Sequence, residues 1–161
     1  MRVGLGYDIH RLVPGRPLRL GGVEIPSPVG LLGHSDGDAL LHAVCDALLG
    51  AAALGDLGDH FPDTDPAFLG ADSAHLLRQA LAKVRAAGYQ PANLDATVVA
   101  QQPRLGPHKA AIRQRLADLL ALDPSLVSLK AKSNNGLDAV GQGLAIAAHA
   151  VVLIENLPEA P

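Results

Sequence analysis

Gly6-Tyr7-Asp8-Ile9-His10 lies inside the run from Arg2 to Val13, which reads as one long β-strand, and that reading decides where the rest of the chain must go. Side chains two residues apart leave the same face of a strand, so Asp8 and His10 can converge on one point. A carboxylate and an imidazole placed this way can supply two ligands to a metal. A catalytic zinc takes three His or carboxylate ligands and keeps a fourth position open. By itself the pair also reads as two polar groups at a strand end. A third ligand has to come from another element.

The next segments offer one. Pro17 to Ile25 has the pattern of a hairpin turning at Gly21-Gly22, and Pro26 and Pro28 lead into a loop, Gly30-Leu31-Leu32-Gly33-His34. Ser35-Asp36-Gly37-Asp38 then has the form of a helix start, with Ser35 as cap and Asp38 at the reciprocal capping-box position. The helix is expected from about Asp36 to Leu54. On it Asp38, His42 and Asp46 are spaced by four and share one stripe, beside an apolar arc of Leu41, Val44, Cys45, Leu48 and Leu49. His42 is the candidate third ligand. The alternative is a partly buried histidine satisfied by Asp38 or Asp46.

Gly55 to Pro66 is dense in Gly, Pro and Asp and reads as an irregular loop, either a functional one or a solvated turn. Asp72-Ser73 caps a helix running through Ala87, with Gly88 as its stop. Asn93 to Gln101 reads as a strand, and Pro107 opens a helix that puts Ile112, Leu116, Leu119 and Leu120 on one face and exits at Asp123-Pro124. Val127 to Ser133 alternates as a strand. The apolar run Leu144 to Glu155 is taken as the last strand, a buried helix being the alternative. The fold class expected is α/β, an α+β sandwich in which helices cover one face of a mixed four-stranded sheet, with a small hairpin beside it. Residues 1–161 form a single domain.

Composition narrows the function. Lys+Arg number 13 against 16 Asp+Glu, a net charge of -3, so there is no basic stripe for nucleic acid and no polybasic membrane patch. Aromatic residues are only 2% of the chain, which argues against stacking on bases. Cys45 is the only cysteine, so neither an internal disulfide nor a thiolate cluster forms, in keeping with a reducing compartment. No secretory leader is read at the N-terminus, and no window reaches the roughly 18 apolar residues of a membrane span. A cytoplasmic location is expected.

Taken in order, Asp8-x-His10, His34-Ser35-Asp36-Gly37-Asp38, His42, Asp56-Leu57-Gly58 and Phe61-Pro62-Asp63-Thr64-Asp65-Pro66 resemble the 2-C-methyl-D-erythritol 2,4-cyclodiphosphate synthase family along essentially the whole chain. The resemblance implies a lyase of the non-mevalonate isoprenoid route. The 2-phosphate of 4-diphosphocytidyl-2-C-methyl-D-erythritol 2-phosphate attacks the β-phosphorus and releases CMP. It also implies a homotrimer packed sheet to sheet around a threefold axis, with active sites between subunits. Small-molecule substrate is the implied partner, not nucleic acid or membrane.

By position, the resemblance makes Asp8, His10 and His42 ligands of one Zn2+ per chain, and His34 and Ser133 catalytic. It places Asp8, Ile9, His10, His34, Ser35, Asp56, Leu57, Gly58, Phe61, Pro62, Asp63, Thr64 and Asp65 against substrate. Ala100, Gln101, Gln102, Pro103, Arg104, Leu105 and Gly106 match the cytosine-recognising segment of a neighbouring subunit. Lys132, Ser133, Asn134 and Asn135 fall at the nucleotide phosphates, and Ala139 and Gln142 complete the set. Asp38 and Asp46 are expected to orient the ligands of the helix stripe. Two positions depart from the family. Asn135 stands where a Glu commonly binds a second cation, Mg2+ or Mn2+, so that ion is expected to be held largely by the substrate diphosphate. Gln142 replaces an Arg of the central trimer cavity, which argues against isoprenoid diphosphate binding there. Those departures motivate the alternative of a non-catalytic trimer that binds CDP or isoprenoid phosphates. His60, His75, His108 and His149 fall outside the matched motifs and are expected to be structural.

Overall fold

The alternation of the first strand builds the whole molecule. The structure is a computed structural model that describes residues 1–158. In chain order its elements are β1 (Arg2–Pro14), β2 (Leu18–Leu20), β3 (Val23–Ile25), β4 (Val29–Leu31), α1 (Ala39–Ala51), α2 (Leu57–His60), α3 (Ser73–Ala86), β5 (Tyr89–Val99), α4 (Lys109–Leu120), β6 (Val127–Lys132), α5 (Asp138–Gly141) and β7 (Ala145–Asn156). A mixed sheet has the order β4-β1-β7-β5-β6, and β2 and β3 form the small hairpin sheet. Among the described residues only the β5–β6 pair is parallel. The fold class is the one expected, with a fifth strand added. β4 pairs antiparallel with Leu12, Val13 and Pro14 at the end of β1. Three residues between Pro28 and a Gly-rich loop carry too short a pattern to separate from loop.

β7 settles the ambiguity of the last apolar run. It pairs antiparallel with β1 on one side, from Arg2–Ile154 to Arg11–Ala145, and with β5 on the other. Its alternate residues Ile146, Ala148, Ala150, Val152 and Ile154 are buried under the helices. β5 starts four residues earlier than expected and absorbs Pro91 at a register shift between Pro91 and Asn93, where a residue lacking N–H costs no regular ladder bond.

α1 runs along β1 and β7, with α3 and α4 flanking it on the same face of the sheet. It begins at Ala39, later than expected, and its cap is Asp38 rather than Ser35. Gly37 has φ +77°, which belongs to no right-handed helix, so the first turn cannot include it. Asp38 instead accepts from the Leu41 N–H and from the N–H groups of Gly21 and Gly22 at 2.9 and 2.7 Å, tying the hairpin turn to the helix start. The helix ends at Ala51, not Leu54, because Ala53 turns left-handed.

The approach of α1 to β1 depends on two missing side chains. A Cβ on Gly4 would lie 1.9 Å from the Ala47 carbonyl oxygen, and one on Gly6 would lie 1.8 Å from that of Ala43. Around this seam the core is aliphatic, with Leu40, Leu41, Val44 and Leu48 of α1 packed among Leu77 and Val84 of α3 and Ile112, Leu116 and Leu120 of α4. Among the described residues, the other face of the sheet carries only the short α5, whose Val140 packs on Ala145 and Ala147. Val3, Leu5, Tyr7, Ile9 and Val151 stand on it in the open.

Candidate active site

Asp8 and His10 leave β1 on the helix side, and the close seam brings His42 of α1 down to meet them. His10 Nε2 lies 2.8 Å from Asp8 Oδ2, His42 Nδ1 lies 2.9 Å from the same oxygen, and the two nitrogens are 3.2 Å apart. These three donors could hold a metal ion. Donor atoms around a tetrahedral ion with bonds of about 2.0–2.1 Å stand about 3.3 Å apart, so the cluster fits such an ion with a few tenths of an ångström of opening.

The far side of each imidazole is also occupied. His10 Nδ1 lies 2.5 Å from the Leu32 carbonyl oxygen and donates to it, which leaves the Nε2 lone pair facing Asp8. His42 Nε2 lies 2.9 Å from Ser73 Oγ and 3.0 Å from Ser35 Oγ. A backbone carbonyl and two hydroxyls therefore hold the rings in place. Burial alone would push the Asp8 carboxyl up, but hydrogen bonds and charge from His10 and His42 override it and hold Asp8 well below the ordinary carboxylate range. For His10, burial disfavours the imidazolium, and the Asp8 hydrogen bond and charge outweigh that and raise it above the ordinary histidine value.

The cluster forms the floor of a cleft of about 420 Å³ lined also by His34, Ser35, Asp46, Leu57, Gly58, Phe61, Pro62, Asp63, Phe68 and Leu76. The Gly55–Pro66 segment is not wholly irregular. Asp56 and Asp59 form a reciprocal capping box around α2, a spacing legible in the sequence but not read as a helix start. Asp46 accepts from the Leu57 N–H at 2.8 Å and so anchors α2 at the cleft wall. His34 contacts the Asp65 carbonyl at 3.3 Å across the mouth. Asp56, Thr64 and Asp65 are not among the residues that line the cleft, and Thr64 is exposed. Ile9 turns the other way, its side chain on the open sheet face, so only its backbone borders the cluster.

Other expected site residues lie apart within one chain. Ala100, Gln101, Gln102, Arg104, Leu105 and Gly106 form a separate hollow with Lys132 and Ser133, and Pro103 sits in the same turn. Asn134 and Ala139 border a third hollow on the open sheet face beside Tyr7 and His149. Asn135 is exposed and left-handed at φ 51°, and its amide oxygen accepts from the Ser133 hydroxyl at 3.3 Å. Gln142 is exposed just after α5.

Asp38 and Asp46 need correcting as orienters of His42. Neither carboxylate bonds to its ring, because that of Asp38 is occupied by three backbone N–H groups and that of Asp46 by the Leu57 N–H. The residues that touch the ring are Ser35 and Ser73, both of which spacing assigns to helix capping. Ser73 comes from α3, far along the chain, and no local pattern links it to His42. Three of the remaining histidines have partners outside the cluster: His60 with the Leu54 carbonyl, His75 with Gln79, and His149 with the Tyr7 ring on the neighbouring strand.

The YgbB family model matches residues 1–155. A 2-C-methyl-D-erythritol 2,4-cyclodiphosphate synthase of Dechloromonas aromatica is 58% identical over 156 residues, covering 97% of this chain and 98% of the relative. One of Bordetella pertussis is 61% identical over 153 residues, covering 95% and 94%. Among solved structures, a 2C-methyl-D-erythritol-2,4-cyclodiphosphate synthase in a CDP-bound form superposes with a TM-score of 0.89 at 45% identity, covering 96% of this chain and all of that one. The bifunctional IspDF of Campylobacter jejuni superposes with a TM-score of 0.93 at 41% identity, but this chain spans only 42% of it.

Proposed function

This chain belongs to the YgbB family, and from that premise we propose that it is a phosphorus–oxygen lyase of isoprenoid precursor biosynthesis. It converts 4-diphosphocytidyl-2-C-methyl-D-erythritol 2-phosphate to 2-C-methyl-D-erythritol 2,4-cyclodiphosphate and CMP. The observation that carries this reading is the convergence of Asp8, His10 and His42 at the floor of a cleft, with one ring nitrogen of each histidine turned inward. Two nitrogens and a carboxylate oxygen suit zinc. A bound ion would supply Lewis acidity and a template for the phosphates.

The chain's own part is alignment. An oxygen of the 2-phosphate forms a bond to the β-phosphorus as the bond from that phosphorus to the bridging oxygen breaks, and CMP carries the electron pair away. The nucleophile is already anionic and tethered, so no protein base is needed and proximity supplies much of the rate. His34 and Ser35 at the cleft mouth bind phosphate oxygens, and α2, fixed by Asp46, presents Asp56 and Gly58 to the erythritol hydroxyls. Asn135, a neutral ligand at best, leaves a Mg2+ or Mn2+ ion held largely by the diphosphate.

The cytosine hollow at Ala100–Gly106 and the phosphate contacts at Lys132 and Ser133 lie outside the cleft of their own chain. A neighbouring subunit brings them to it, in a trimer packed through the open sheet face. The enzyme works in the cytoplasm; no helix among the described residues is long and apolar enough to cross a membrane. Incubation with substrate, zinc and magnesium should yield CMP and the cyclic diphosphate in equal amounts, with no 18O incorporated from labelled water. A linear phosphate carrying 18O would replace cyclisation with metal-assisted hydrolysis.

A further inference from the structure

Each ligand histidine can bind a metal through one nitrogen only if its hydrogen sits on the other. His10 has a backbone carbonyl to fix this. For His42 the neighbours are hydroxyls, which can donate or accept, so the question is what sets their direction. Ser73 is 0% exposed and opens α3, and its hydroxyl donates to Asp36 Oδ1 at 2.5 Å while its N–H reaches Asp36 Oδ2 at 3.3 Å. Asp36 is fixed in turn by its own N–H, which donates to the Ala71 carbonyl at 3.0 Å, and by Arg19, 3.8 Å from Oδ2.

A serine hydroxyl has a single hydrogen. Because the Asp36 carboxylate takes it, the Ser73 oxygen can only accept on its other side. There it faces His42 Nε2 at 2.9 Å, so Nε2 must carry the hydrogen and the lone pair falls on Nδ1, toward Asp8 and His10. Ser35 lies as near but lacks this direction. It accepts from the Gly37 N–H at 3.2 Å, and its own hydrogen is not committed to any carboxylate.

We infer that Asp36 and Ser73 are positioning residues that set the tautomer of His42 and so make Nδ1 its metal-binding atom. The inference rests on reading the cluster as a metal centre, but the tautomer can be measured without a metal. In metal-free wild type, 15N–1H spectra of the histidine rings should place the His42 hydrogen on Nε2 alone. In Ser73→Ala the freed Ser35 hydroxyl can donate or accept, so both tautomers should appear. In Asp36→Asn the amide can present its N–H to Ser73, turning that hydroxyl toward Nε2 and moving hydrogen onto Nδ1.

Zinc dissociation constants, measured by competition with a chromophoric chelator, should rise about 10–100-fold in both variants. The melting temperature of each metal-free protein separates this from simple loosening of α3, which would leave the tautomer of the folded fraction unchanged. If Ser73→Ala does not fold, Asp36→Asn and the wild-type spectrum still decide the matter. A wild-type His42 protonated on Nδ1 overturns the inference, as does an unchanged tautomer and zinc affinity in Asp36→Asn. Should wild type bind no zinc, the metal centre itself fails, while the ring spectra still report whether Asp36 and Ser73 govern the tautomer.

Discussion

At the residue scale, the Asp8–His10 contact sets how the site answers to pH. The proton on His10 must leave before Nε2 can bind a metal, and Asp8 holds that proton more tightly than an ordinary imidazole would. Zinc affinity should therefore keep climbing as pH passes 6.5, the ordinary histidine value, and level off only above the raised value. Asp8, held low, stays ionised throughout. The same shift stabilises the metal-free fold below pH 6.5, and that contribution disappears as pH rises through the folded value. Chelator competition across this range checks the first statement, and an affinity indifferent to pH would count against it. Metal analysis gives a simpler check: about one zinc per wild-type chain, as a single three-ligand site requires, and none in His42→Ala. Asp8 and His10 were legible from a period of two, and His42 from its place on an amphipathic stripe. Ser73 was not, since it meets His42 only after α3 folds back onto the loop before α1.

At the scale of elements, the site exists because α1 can lie almost on the backbone of β1. Gly6→Ala would drive a Cβ to within 1.8 Å of the Ala43 carbonyl oxygen and 2.8 Å of the Ala47 N, neither of which can swing aside. Overpacking of this kind costs about 1–3 kcal/mol or more. Lifting α1 also carries His42, next to Ala43, away from Asp8, so the urea midpoint and zinc content should fall together. Gly50→Ala on the same helix is the contrast. Its Cβ meets nothing within 4 Å, and replacing a helical glycine should leave stability equal or raise it by about 0.5–1 kcal/mol. If Gly6→Ala behaved like Gly50→Ala, the seam would not be what places His42. The long strands and helices were readable from periodicity, but the exact start of α1 was not. Ser35 with Asp38 at the reciprocal position reads as the cap on paper, but Gly37, left-handed beneath Leu31, moves the cap to Asp38 and the start of the helix to Ala39.

At the scale of the whole molecule, the sheet is finished on one side only. On its other face, Leu5 pairs with Val151, Val3 with Leu153 and Tyr7 with His149, so residues from two neighbouring strands form one stripe, which ends where Val140 of α5 covers Ala147 opposite Ile9. Leu5 is 70% and Val3 66% exposed. An apolar patch of that kind on a chain whose other face is fully covered marks a surface meant to be buried against another protein. Under the proposed function that partner is a copy of the same chain, which would bring its Ala100–Gly106 hollow to the cleft. Leu5→Lys tests both halves at once. Leu5 packs against nothing in the single chain that its loss would unmake, so circular dichroism should be unchanged. Sedimentation should show the trimer giving way to monomer, because three charges would meet across a dry interface. CMP release should fall steeply while zinc content, which needs one chain only, holds near wild type. A trimer that persists with full activity would move the interface to another surface. A monomer with full activity would mean that one chain closes the substrate site alone.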